Sequence, residues 1–159
     1  MVAIDWCCKN KNGIRLIEPN ENLAKAYTEM AKEALIVMTD VKDKSLRWSI
    51  SSCYYSMYYS LYSILQKIGI KCEIHSCTLK FMETFLLNLY SSEDLKTIEK
   101  AFELRESIQY YADRIISKED TDLVIKQAPL FLNKSIEILS RLNQDDIGKI
   151  RVNVKRFIR

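Results

Sequence analysis

The stretch SISSCYYSMYYSLYSIL, residues 49–65, decides the fold. Laid out at about 100° per residue, Tyr54, Tyr55, Tyr58, Tyr59 and Tyr62 cover one arc of roughly 140°. Ser49, Ser52, Ser56, Ser60 and Ser63 make a narrow seam at steps of three and four, and Ile50, Met57, Leu61, Ile64 and Ile68 fill a third face. A helix occupied all round, with only serines interrupting its apolar character, touches neighbours on most sides. Its small-residue seam lets another helix approach closely. The tyrosines therefore read as core and interface packing with their hydroxyls satisfied at the edge; stacking on nucleic-acid bases would need exposed rings.

Outward from this spine the pattern stays helical. The helix begins near Leu46, after the polar turn DVKDKS at 40–45 with Asp43 as candidate cap, and stops before Gly69. Ahead of it, Asn20 is a plausible N-cap for a helix whose apolar stripe is Leu23, Tyr27, Met30, Ala31, Ala34, Leu35 and Met38. Behind it, a third helix is expected over roughly 77–90. SSED at 91–94 caps a fourth that reaches about Tyr111, and SKED at 117–120 starts a fifth that runs to about Leu142. Pro129 lies inside the fifth, where a kink or break is expected. The expected fold class is all-α, an antiparallel up-down bundle of about five helices. An irregular N-terminal segment occupies 1–20, the bundle 21–142, and a basic C-terminal tail 143–159.

Composition supports this. Hydrophobic residues at 48% and charged residues at 28% belong to a globular chain, and 159 residues suit one domain. Three glycines and two prolines leave little material for the hairpins of a β-sandwich. No apolar run is long enough for a membrane span, and Asp5, Lys9 and Lys11 break the N-terminus as a signal peptide. Five cysteines, an odd number without a secretory signal, read as reduced thiols, so the expected compartment is the cytoplasm. The net charge of +3 is local in origin: Lys149, Arg151, Lys155, Arg156 and Arg159 contribute five positive charges with no acid, leaving −2 on residues 1–148. Such a tail is either solvated or laid on a polyanion.

Three stretches together, LAKAYTEMAKEAL (23–35), SISSCYYSMYYSLYSILQKIGIKCEIHS (49–76) and LRESIQYYADRIISKEDTDLVIKQAPLFLNKSIEIL (104–139), resemble the HEPN domains (higher eukaryotes and prokaryotes nucleotide-binding). The resemblance rests on the paired tyrosines YYSMYY with the following KIGI, the isolated His75, and an arginine closely followed by tyrosine. It implies an up-down bundle and commonly a homodimer. Many such proteins are the toxin half of prokaryotic toxin and antitoxin pairs. They act as metal-independent ribonucleases beside a small nucleotidyltransferase antitoxin.

The family's catalytic pattern is an arginine followed four to six residues later by histidine. Arg105 takes the arginine place, but the histidine place falls on Tyr110, Tyr111 or Ala112. Histidine titrates near 6.5 and tyrosine near 10, so a tyrosine would need about 4 kcal/mol of differential stabilisation to shuttle protons at neutral pH. The resemblance thus assigns Arg105, Tyr110 and Tyr111 to the catalytic position; RNA or nucleotide binding is expected of Arg105, of Gln109 beside it, and of Lys155 and Arg156 in the basic tail. Arg105 and Gln109, four apart, share a helix face. Arg105 and Tyr110 are some 140° apart on a regular helix.

KCEIHSC places Cys72, His75 and Cys77 close in sequence, yet it lacks the usual cysteine pairing of a zinc site, so neither metal nor cofactor is expected. The resulting expectation is a component of a toxin and antitoxin or related RNA-directed system with weak or absent ribonuclease activity. The alternative is a non-catalytic module that holds a nucleotidyltransferase partner or a nucleotide.

Overall fold

The computed structural model describes residues 2–158, with helices α1 (Ile4–Lys9), α2 (Glu21–Val41), α3 (Leu46–Ile68), α4 (His75–Phe85), α5 (Ser92–Tyr110), α6 (Lys118–Arg141) and α7 (Gln144–Lys155). Two short strands, β1 (Arg15–Leu16) and β2 (Ile70–Lys71), pair antiparallel with Arg15 opposite Lys71. The all-α bundle expected from the sequence is the fold. No helix among the described residues is long and apolar enough to cross a membrane.

α3 is the spine. Of its 23 residues 16 are buried, and it packs along α2, α5 and α6. Three of the five seam serines are satisfied locally, since Ser49, Ser60 and Ser63 donate to the carbonyls of Ser45, Ser56 and Ser60, whereas the buried Ser56 hydroxyl has no hydrogen-bond partner among the described residues. Tyr54, Tyr58 and Tyr62 lie in the core, with Tyr55 and Tyr59 half-buried at its edge.

The helix ends follow local chemistry. Asn20, Ser91 and Ser117 accept from the backbone N–H three positions on, as expected, and Ser91 with Asp94 forms a full capping box. Ser45, two residues beyond Asp43, caps α3. α4 begins earlier than the apolar pattern suggests, with His75 as its first residue, and ends at Phe85. α6 runs unbroken through Pro129; buried Ala128, Phe131 and Leu132 around it hold the turn whose hydrogen bond proline removes.

Both ends of the chain carry more structure than their composition suggests. Within 1–20, the short helix α1 packs on α4, and Cys7 is disulfide-bonded to Cys77, with Cα atoms 5.5 Å apart. This corrects the reading of all five cysteines as reduced: Cys8, Cys53 and Cys72 are the free ones. The pairing rests on a contact between residues 70 apart in sequence, which spacing rules do not reveal.

In 143–159, α7 docks through Ile147, Ile150 and Val154. Its Arg151 is a clamp rather than a free charge, since Nη1 donates to the carbonyls of Ile17, Ile68 and Gly69 at 2.8–2.9 Å. Gly69 accommodates the clamp with φ +83°, and a Cβ there would stand 2.3 Å from Arg151 Nη1 and 2.5 Å from the Ile17 oxygen. Gly69→Ala is therefore expected to cost at least the roughly 1–2 kcal/mol of a left-handed non-glycine residue. Arg151→Ala removes charged hydrogen bonds worth about 1.5–3 kcal/mol. Thermal unfolding followed by circular dichroism should show a clear fall in Tm for both variants, and an unchanged Tm in either would refute the clamp.

Candidate functional site

Arg105 lies on the face of α5 that meets α3. Its guanidinium carbon stands 5.4 Å from the ring centre of Tyr54 and 5.7 Å from that of Tyr55. These are cation–π distances, which hold the planar charge against two adjoining aromatic faces. Among the described residues no carboxylate lies within ion-pair distance of Arg105.

Against the same rings, half-buried at the start of α4, stands the chain's one histidine. His75 Nδ1 and the Tyr54 hydroxyl share a 2.6 Å hydrogen bond, and the imidazole stacks flat on Tyr58 with ring centres 4.2 Å apart. Phe102 of α5 closes the stack beside Tyr54 and His75. Burial, then the nearby Arg105 charge, lowers the His75 pKa below its ordinary 6.5. The imidazole is therefore neutral at neutral pH. Burial pushes the hydroxyls of Tyr54 and Tyr58 upward, so both remain phenols.

In front of the rings, Arg105 lines a cavity of about 310 Å³ together with Arg47, Trp48, Ser51, Tyr55, Ile108 and Gln109. Arg47 is fixed from α3 by donating to the carbonyls of Ile108 at 2.8 Å and Ala112 at 2.7 Å, which terminates α5. Two guanidinium groups thus face one cavity. Such a site can hold an anion bidentately, but no arginine serves as a proton acceptor near neutrality.

The residues singled out in the sequence fall into three places. Arg105 and Gln109 come together in this cavity. Tyr110 and Tyr111, the last residue of α5 and its C-cap, are 69% and 54% exposed and line a separate cavity of about 450 Å³ with Glu103, Glu106, Ser107 and Arg114. There Arg114 covers the Tyr111 ring at 5.0 Å and donates to Ser107 Oγ. Lys155 and Arg156 are exposed at the end of α7 and line neither cavity.

Sequence reasoning missed Arg47, Trp48, Ser51 and the Tyr54–His75 bond. Part of this had a signal: Arg47, Ser51 and Tyr55, at steps of four, form one stripe of α3 leading to the tyrosines.

With its folded-state pKa below the unfolded one, His75 takes up its proton more readily in the unfolded chain. The stability it supports at neutral pH is therefore lost as pH falls below about 6.5. His75→Gln should give a shallower decline of Tm with acidification than the native chain, measured by thermal melts across that range. Parallel slopes would show that the imidazole is not held neutral.

The HEPN domain family matches residues 24–139, well over half of the chain. A protein named "Putative toxin MJ0142", from Methanocaldococcus jannaschii, is 31% identical over 98 residues, covering 60% of this chain and 67% of its own length. The chain belongs to the HEPN domain family.

Proposed function

We propose that this HEPN domain protein is the toxin-like, RNA-directed member of a prokaryotic toxin and antitoxin pair or related system, and that it grips an RNA phosphate with Arg105. Metal-independent cleavage by it is weak or absent. The observation that carries the reading is the Arg105 guanidinium, without a carboxylate partner among the described residues, mounted on Tyr54 and Tyr55 at the mouth of the cavity. Charge-assisted contacts from arginine to phosphate are the strong, bidentate kind.

The same cavity argues against efficient cleavage. Activation of an RNA 2′-hydroxyl calls for a group that exchanges a proton near neutral pH. Arg47, Trp48, Ser51, Tyr55, Arg105, Ile108 and Gln109 include no such group, and His75, which is not among them, has Nδ1 already bonded to the Tyr54 hydroxyl. The reading includes a cytoplasmic homodimer whose junction passes near Arg105 and the end of α5.

Fluorescence anisotropy with labelled RNA tests it. Arg105→Gln, which removes the charge but keeps a polar side chain, is expected to weaken binding about tenfold on all sequences and to reduce the salt slope by about one. Unchanged affinity would overturn the phosphate grip. Cleavage in the presence of chelator that disappears in both Arg105→Gln and His75→Gln would overturn the weak-nuclease part.

A second reading is favoured by one observation, the exposure of Tyr110 and Tyr111 in a cavity apart from Arg105. Their hydroxyls are open to another enzyme, which fits a module that a nucleotidyltransferase partner binds and modifies. Intact-mass measurement on protein purified from its own source would then show nucleotidyl additions that vanish when both tyrosines become phenylalanine. An unmodified mass would remove this reading.

A further inference from the structure

We infer that the Cys7–Cys77 disulfide is a redox-sensitive latch. Closed, it holds α1 on the first turn of α4, the turn that carries His75; opened by a dithiol reductant, it releases α1 and loosens the imidazole from Tyr54. The inference does not use the RNA reading above and takes from it only the cytoplasmic compartment.

The bond joins two weakly anchored pieces. α1 is six residues long, its N-cap is Ala3, whose side chain accepts no hydrogen bond, and it packs mainly on α4. A helix that short is not stable by itself. α4 begins at Ile74, an equally mute cap, so its first turn is held from outside, by the His75–Tyr54 hydrogen bond and by the bridge at Cys77. Val2, just ahead of α1, lines a cavity of about 360 Å³ with Ser76, Leu79 and Phe102, which puts this end of the chain beside residues that flank the imidazole. The rest of the bundle has no need of the bridge. α3 packs along α2, α5 and α6, and Cys7 stands ahead of the HEPN domain at 24–139 whereas Cys77 stands within it. Opening the bond therefore frees one end while the bundle stands.

The surrounding chemistry favours this pair. Cys7 and Cys77 are fully buried, so a reductant meets the bond when α1 opens locally. Burial holds the thiols of Cys8 and Cys72 above their ordinary range and pushes that of Cys53 up to about 12, so none of the three competes as a thiolate. In the reduction, a thiolate of the dithiol attacks one sulfur, forms a mixed disulfide and expels the other cysteine as a thiolate, which takes a proton. The second thiol of the reductant then closes a ring and expels the second cysteine. Two electrons and two protons pass from the dithiol to the protein. Where thiols are kept reduced, a disulfide is usually transient and redox-sensing rather than a permanent staple.

The test uses the full chain, oxidised with glutathione disulfide or reduced with dithiothreitol. Alkylation in denaturant followed by intact mass should count three thiols in the first form and five in the second. Amide hydrogen exchange over residues 4–9 should quicken about tenfold on reduction. The chain has one histidine, so its NMR titration is unambiguous. The groups that face it are Tyr54, Tyr55 and Tyr58 of α3 and Phe102 and Arg105 of α5. Burial is the first cause of its lowered pKa, so reduction should raise that pKa toward the ordinary 6.5. Cys7→Ser should behave as the reduced chain under both conditions, and Cys8→Ser should keep the response.

If either the α1 exchange or the His75 titration is the same in both redox forms, even with a lower Tm after reduction, the bond is a passive staple and the latch is overturned. Five free thiols after glutathione disulfide would overturn it as well, because the bond would not then form. Either failure leaves the Arg105 phosphate grip standing, since that is read by RNA binding alone.

Discussion

Tyr54 is the contact on which the rest of the site depends. Its ring is fully buried, its hydroxyl is bonded to His75 at the start of α4, and its outer face carries Arg105 of α5. One side chain of α3 thus fixes the relative placement of two other helices. It touches both the imidazole and the guanidinium, through a hydrogen bond to the first and a cation–π contact with the second, and the Arg105 charge helps to hold His75 neutral.

The core of the fold was legible in the sequence because it is written in periodicity and caps. The tyrosine arc, the serine seam and the Gly69 stop describe a helix that must be surrounded, and α3 is surrounded. What lay beyond periodicity was anything set by contacts distant in sequence. The Cys7–Cys77 bridge, the Arg151 clamp and the meeting of Arg105 with residues 47–55 each join segments separated by about fifty residues or more, and single-sequence patterning carries no information on them.

The placement of Tyr110 and Tyr111 away from Arg105 follows from simple helix geometry. The sequence already implied that separation at about 100° per residue, whereas the partners that replace them could be found only in three dimensions.

A comparison among the cations sharpens the meaning of Arg105. Lys67 donates to the Leu139 carbonyl near the end of α6, Arg47 to Ile108 and Ala112 at the end of α5, and Arg151 to Ile68 and Gly69 at the end of α3. Each satisfies carbonyls that a helix leaves without partners, and each neutralises the negative end of a helix dipole. Arg105 lies within α5, where carbonyls already accept from the following turn, so it has no such duty. A charge desolvated against two rings and left without a carboxylate costs stability unless something else compensates it. The compensation inside the chain is modest, since a cation–π contact at a partly exposed site contributes about 0.5–1 kcal/mol. An anion arriving in the cavity would supply the remainder, and the unpaired guanidinium, more than any motif around it, is the ground for proposing that this face meets an anionic ligand.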